Sequence, residues 1–453
     1  MKKIKTKYMV VTLMFGLTFG LYNCTRHDQT LNVAPASGTL LTSVKTATPP
    51  SFVSGYYSGG SAWGGPSASL WKNAPVLNIT ATVPDVEGSS GANGFNGFIG
   101  NSTPMTLQSM YDANYIYFLI TWKAAQANRA SSPWFFNPAT KLWAQGGAAP
   151  TYNVDGEETM QSICSDEIVM LFNINNSCAD FTSQSCYGAC HTNVGSMVLD
   201  TLTGAITSTT TNCMHTNAVN EKLDCWRARF YEVEQTGQAL DYYQDYDGGV
   251  LGGSGIHADQ SVPNGSSPPS YSSNASTNGA GSVSNKQTLT ITGTSKHESV
   301  PLWVKANDNY PYAQLLPSDT LGAALKVIAV DSNGVLTLQG GSTINPNNGT
   351  TYQQVGTGIG NNDQTTWIPG KIVFPYTGGE GDVTANAMWS GSGWTMMLKR
   401  ALKTTDVLEQ DVDFSSLANQ QFGIGVMFQA NGSINAADNE HAIMPGLTLT
   451  FQK

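Results

Sequence analysis

Charged side chains make up only 12 % of the 453 residues, and the 32 acidic ones outnumber the 22 Lys and Arg, for a net charge of −10. A chain so poor in cations offers no electrostatic footprint for a nucleic acid, and none is expected as a partner. Membrane-spanning length is missing as well. The one pronounced apolar run, residues 9–21, is too short to cross a bilayer as a mature helix. Cysteine is absent from most of the chain: apart from Cys24, all six lie between Cys164 and Cys225. There is no Ser-centred elbow, no His-Glu-x-x-His and no paired-carboxylate motif, so nothing points to an enzyme in its own right. No repeat of 20–50 residues is found either.

The N-terminus has the layout of an export signal. Lys2, Lys3, Lys5 and Lys7 precede the apolar run, which ends at Leu21-Tyr22-Asn23-Cys24 before a polar stretch. A Cys directly after the apolar core implies a lipoprotein signal over residues 1–23, with Cys24 acylated as the mature N-terminus. Tyr22 and Asn23 are bulkier than the residues usual before such a Cys, so an ordinary secretory signal is the alternative. The expected location is outside the cytoplasm, lipid-anchored to a bacterial membrane and facing the periplasm or the cell surface. Residues 24–65, rich in Ser, Thr, Gly and Pro from residue 30 onward, read as a flexible tether. Residues 66–453 then form a single domain.

Forty-seven Gly and few charges fit a mainly β protein with many turns. Alternation predicts strands over 76–83, 106–109, 115–122 and 167–172. Further strands are expected over 323–338, broken by the turn Asp331-Ser332-Asn333-Gly334, and over 422–428 and 447–451. Residues 383–389 and 394–400 flank Ser390-Gly391-Ser392-Gly393 and predict a hairpin. Residues 248–286 are dominated by Gly, Ser, Asn and Pro and read as a long surface loop. The best helix candidate is 221–234.

The strongest chemical signal is Cys186-Tyr187-Gly188-Ala189-Cys190-His191. Covalent haem attachment needs two thiols for the two vinyl groups and a His beside the second thiol to ligate iron. The common form places two residues between the cysteines; here there are three. A zinc site built from Cys186, Cys190, His191 and Cys213 is a second option, disfavoured because exported thiols are normally oxidised.

The chain resembles the haem-binding domain related to the γ subunit of ethylbenzene dehydrogenase and of dimethyl sulfoxide reductase-like enzymes. The resemblance is carried by an ordered series of blocks over roughly residues 70–452. These are Met110-Tyr111-Asp112 through Trp122-Lys123, Asp166-Glu167-Ile168-Val169, and the Cys186 to His191 segment. Next come Asp224-Cys225-Trp226-Arg227-Ala228-Arg229, Trp367-Ile368-Pro369-Gly370, and Gly381-Asp382-Val383-Thr384-Ala385. Trp394 to Arg400 with Asp411-Val412-Asp413-Phe414, and His441 before the last strand, complete the series. The resemblance implies an immunoglobulin-like or jelly-roll-type antiparallel β-sandwich with long loops and few short helices. It implies one covalent haem c and single-electron transfer, as a shuttle or as the haem subunit of a respiratory oxidoreductase. The redox partner would be a molybdenum oxidoreductase or another cytochrome. Non-covalent members hold haem b through Met and Lys, and that Lys has no secure counterpart here. The family's His between two Trp is replaced in Trp226-Arg227-Ala228.

On this reading Cys186 and Cys190 carry the haem and His191 is the proximal iron ligand. Met214 is the first candidate for the sixth ligand, with His215 and Met105 as alternatives. Trp226 and Arg229 are expected beside the haem, with Arg227 or Arg229 meeting a propionate. Arg400 is read first as a strand anchor. Cys164, Cys178, Cys213 and Cys225 remain for two disulfides in any of three pairings, each stabilising by about 2–4 kcal/mol. Two competing readings carry no haem. One is a carbohydrate- or ligand-binding surface lipoprotein using Trp63, Trp71, Trp134 and Trp143 as exposed stacking platforms. The other is a disulfide-stapled adhesin.

Overall fold

The computed structural model describes residues 39–55, 62–83, 100–125, 127–145, 151–152, 158–160, 165–178, 181, 196–199, 206–209, 216, 220–245, 256–259, 262–263, 271–272, 281–305, 314–348, 354–355, 358–359, 368–406, 408–428 and 440–452. The chain is mainly β. Twelve strands form the principal sheet: β1 (Leu40–Lys45), β2 (Leu77–Thr82), β3 (Ser102–Tyr111), β4 (Tyr115–Lys123), β5 (Glu167–Asn173), β6 (Leu223–Arg229), β7 (Gln238–Gln244), β8 (Ile256–Ala258), β9 (Val383–Trp389), β10 (Gly393–Ala401), β11 (Gln420–Phe428) and β12 (Glu440–Phe451).

Ten of these strands close into a ring in the order β3-β2-β12-β11-β5-β6-β7-β9-β10-β4 and back to β3. Every neighbour in the ring is antiparallel. The ladder is therefore one continuous barrel-like wall rather than two separately bonded sheets, and closure removes free edges. Its weakest seam is β2–β12, joined at the single pair Thr82–Ile443. Strand β1 crosses that seam, running parallel to both β3 and β12. This corrects the expected tether over 24–65: residues 40–45 belong to the wall, and Leu41 is fully buried.

Period-two alternation explains the interior. Ile116, Phe118, Ile120 and Trp122 on β4, Ile168, Met170 and Phe172 on β5, and Trp394, Met396 and Leu398 on β10 all join one apolar cluster to which all ten ring strands contribute. The intervening residues Tyr117, Leu119 and Met397 pack outside against Trp63 and Trp71. The same parity carries Asp224, Asp241 and Arg400 inward at one end of the ring.

The helix expected over 221–234 is a strand followed by one short helix, Phe230–Thr236. Trp226 and Ala228 pack into the ring while Leu223 and Cys225 pack outside it, so a two-sided wall absorbs residues whose composition mimics a helix. The loop expected over 248–286 holds ordered pieces as well. Strand β8 pairs with β7 and buries His257, and Gly281–Ser284 pairs with Lys371–Phe374.

A second cluster sits on the hairpin Trp134–Asn137 and Leu142–Gln145, with strands from 287–344. Its indoles are pinned: Trp134 Nε1 donates to Asn285 O at 2.8 Å and Trp143 Nε1 to Gly334 O at 2.7 Å. Gly334 has φ +76°, and a Cβ there would meet Phe136 at 2.1 Å. Only glycine suits that turn.

Candidate functional site

Cys186, Cys190, His191, Met214 and His215 lie outside the described residues, as do Cys24, Cys164 and Cys213. What is described is the frame around them. Before the segment, Asn173 Nδ2 donates to Cys178 O at 3.0 Å and its Oδ1 accepts from Cys178 N at 2.9 Å. These two bonds fold the chain back immediately after β5. Phe181 and Cys178 then pack with Val169, Leu171, Leu223 and Cys225 on the outer face of the β5–β6 wall. After the segment, Thr216 N donates to Asp245 O at 2.9 Å and Thr216 Oγ1 to Glu221 O at 3.1 Å, leading into β6. Both described flanks thus sit on β5, β6 and β7, at the Asn173 end of the ring.

Trp226 and Arg229 are three residues apart on one strand and so belong to opposite faces. Trp226 is fully buried inside the ring among Phe118, Phe172 and Phe414, with the Arg400 guanidinium 4.8 Å from its ring. Arg229 faces outward, where it pairs with Glu232 at 3.0 Å and donates to Tyr231 Oη at 3.0 Å. Arg227, also outward, forms a two-point pair with Glu167 at 2.6 and 3.1 Å. The structure does not bring Trp226 and Arg229 to one side of a common ligand. Arg400 is the strand anchor: it is fully buried and tied to Asp224, Asp411 and the Val412 carbonyl.

A cleft of about 760 Å³ opens at the opposite rim. That volume lies within the range of roughly 300–1,000 Å³ usual for small-molecule sites. Met105, Trp122, Trp394 and Met444 line it from the inner face, and Thr106, Thr121 and Lys123 from the outer. Gly393 permits the close approach of β10 to β4 there, since a Cβ would lie 2.3 Å from Trp122 O. Trp122 is 2 % exposed and its Nε1 has no hydrogen-bond partner. A buried indole N–H left orphaned beside a cleft is a donor waiting for an acceptor. The cleft therefore offers two thioethers, Met105 and Met444, one amine and one indole donor. Met105 and Lys123 reach it from opposite faces of the wall, so it does not preform a Met–Lys pair across one flat ligand. Position and parity of Met105 are legible in the sequence, whereas the orphaned indole has no sequence signal.

The stacking platforms of the carbohydrate reading are corrected by the structure. Trp63, Trp71, Trp134 and Trp143 are 9, 3, 1 and 4 % exposed and serve the two outer clusters. Their polar neighbours in sequence disguise them as surface residues. Among the described residues no helix is long and apolar enough to cross a membrane.

None of the proteins of curated function matches the chain. Among solved structures, it aligns with a family 9 carbohydrate-binding module from Caldicellulosiruptor kristjanssonii in complex with cellotriose. The identity is 6 % and the TM-score 0.25, over 91 % of this chain and 93 % of that one, which is too slight a likeness to argue from. The family model described as ethylbenzene dehydrogenase matches residues 68–437, more than half of the chain. The protein belongs to the ethylbenzene dehydrogenase family.

Proposed function

We propose that the protein is an exported, lipid-anchored cytochrome that holds one haem and passes single electrons to a redox partner, without an enzymatic reaction of its own. The observation that carries this reading is the Cys186–x3–Cys190-His191 segment inside the matched span. Two thiols and an imidazole in that spacing suit a porphyrin held by two thioether bonds and one axial nitrogen. The haem iron would supply the one-electron chemistry. The protein would supply the ligands His191 and Met214 and a stiff β5–β6–β7 wall behind them. Arg227 and Glu167 are already paired on that wall, and Arg229 is paired with Glu232, so propionate recognition by either arginine requires exchanging an acidic partner. The closed ring packs around one aromatic interior. Cys24 would hold it at the membrane through its lipid.

The test is haem staining. Full-length protein co-expressed with haem-maturation machinery is expected to keep a peroxidase-active band after denaturing electrophoresis, and Cys190→Ser to lose it. A colourless wild-type band from a preparation that is also haem-free before denaturation sinks the proposal. Haem that binds but washes out on denaturation, and is lost in Met105→Ala, transfers it to the cleft as a non-covalent haem b site.

A further inference from the structure

The Arg400 end of the ring carries more negative charge than its single cation balances. Arg400 Nη1 donates to Asp224 Oδ2 at 2.5 Å and to Asp411 Oδ1 at 2.6 Å, and lies 3.8 Å from Asp241 Oδ2. Side chains of Arg400, Asp224 and Asp241 are 0 % exposed and that of Asp411 is 5 % exposed. Asp259, 1 % exposed, joins them: its backbone N–H donates to Asp241 O at 3.2 Å. Four carboxylates thus face one guanidinium.

A buried excess of this kind has two remedies, protons or a cation. Burial pushes the Asp224 carboxyl up to about 7 and the Asp259 carboxyl up to about 8, with the neighbouring Asp411 charge adding to both. Protonation alone leaves the geometry unsatisfied. Both oxygens of Asp241, both of Asp259 and Oδ1 of Asp224 have no hydrogen-bond partner. A neutral carboxyl would need an acceptor for its O–H just as a carboxylate needs donors. Asp241 is the independent observation: it is fully buried and accepts no hydrogen bond at either oxygen, and its nearest cationic atom, Arg400 Nη1, stands off at 3.8 Å. One oxygen each from Asp224, Asp241 and Asp411 lie within 4.8 Å of one another. Oxygens around one calcium ion, each at about 2.3–2.6 Å, are separated by up to about 5 Å. Magnesium, at about 2.0–2.1 Å, would need a tighter set. An all-oxygen donor set with no sulfur or imidazole selects a hard cation over a transition metal.

We infer that Asp224, Asp241 and Asp411, with the buried Asp259 carboxylate adding negative charge beside them, form a calcium site that locks β6, β7 and the 402–414 loop to the ring beside Arg400. The site would be structural, since β6, β7, β10 and that loop meet here. Arg400 holds Asp224 Oδ2 and Asp411 Oδ1, and Thr404 holds Asp411 Oδ2, so the oxygens of these three carboxylates without a hydrogen-bond donor are Asp224 Oδ1 and both of Asp241. Two positive charges would reduce the local excess from three to one.

Full-length protein passed over a chelating resin and then dialysed against calcium chloride is expected to hold one calcium per chain by elemental analysis. Its melting temperature should rise by about 3–6 °C between EGTA and millimolar calcium. Terbium should replace calcium and give luminescence on indole excitation, because Trp226 adjoins Arg400. Asp241→Asn should abolish all three responses, whereas Asp413→Asn, an exposed carboxylate paired with Lys403, should leave them intact. Absence of a calcium-dependent melting shift together with no retained calcium in the wild type would overturn the inference. So would full calcium retention in Asp241→Asn. The wild-type measurement decides the matter even if the variant fails to fold.

Discussion

The two ends of the barrel-like ring bury acid in opposite ways. Strand β5 runs between them, so they stand about 20 Å apart. At one end, Asp166 is alone and served at one oxygen: Oδ2 accepts from Trp394 Nε1 at 2.7 Å and from Asn128 N at 3.0 Å, while Oδ1 has no donor. At the other, Asp224, Asp241, Asp259 and Asp411 share one guanidinium and leave five oxygens unserved. A lone carboxyl with donors aimed at one oxygen is fixed in place and has only a proton to take up. A crowded set with orphaned oxygens responds to protons or ions. Burial makes both ends sensitive to protons, and the number of carboxylates that meet decides whether a cation can answer as well.

The largest effect should come from removing the shared cation. Arg400→Met keeps the volume but leaves the carboxylates to repel one another in a dry interior. Breaking a buried ion pair by one partner costs about 3–5 kcal/mol, and urea unfolding at pH 7.5 should register a loss at the top of that range. The same variant should regain part of the loss as pH falls toward 5, because the carboxyls titrate upward once the guanidinium is gone. Equal destabilisation at both pH values would mean that packing on Trp226 and Phe414, not charge, is what Arg400 supplies.

Asp166 offers the contrasting measurement. Burial raises its carboxyl to about 7, against the hydrogen bonds from Asn128 and Trp394 and the nearby Arg129 charge. A raised acid is protonated in the folded state where the unfolded chain has already released its proton. Its contribution is complete below about pH 4, declines across pH 4 to 7, and is gone above that. The wild type should lose on the order of 4 kcal/mol across this window from Asp166 alone. Asp166→Asn, neutral throughout, should flatten the curve by that amount. Melting temperatures of both proteins between pH 4.5 and 7.5 check this, and parallel curves would refute it.

Much of the wall is readable because its strands announce themselves locally. The hairpin β9–β10 falls at the predicted 383–389 and 394–400, and the aromatic run from Tyr115 to Trp122 lies wholly within β4. Strand β6 escapes a local reading because its identity depends on pairing with Phe172 and Tyr243, 52 and 19 positions away from Asp224. Strand β1 hides in a Ser- and Thr-rich stretch, since a strand sealing a seam needs only Leu41 inside and Val44 in the outer cluster. The acidic cluster is the least legible feature. Arg400 and Asp411 are near in sequence, but Asp224 comes from 176 positions away. The Cys186–His191 segment proposed to carry haem is the reverse: contiguous in sequence, it reads at once, and the framing residues Asn173 and Thr216 say only where the chain leaves and returns.

The smallest effect should come from the ion pair nearest the Arg400 set in sequence. Lys403 and Asp413 meet at 3.0 Å, hardly longer than the Arg400 contacts, yet their side chains are 70 and 44 % exposed. Water already solvates both charges, and the Coulomb gain at high dielectric is offset by the entropy of holding two flexible chains. Lys403→Ala should therefore change unfolding free energy by less than about 0.5 kcal/mol, and even that should vanish in about 0.5 M salt. A loss above about 1 kcal/mol in urea titrations would show that the 402–414 loop transmits surface strain to the buried cluster, and the division between the exposed pair and the interior would no longer hold. Distance alone ranks the two pairs as near equals; exposure separates them by about an order of magnitude.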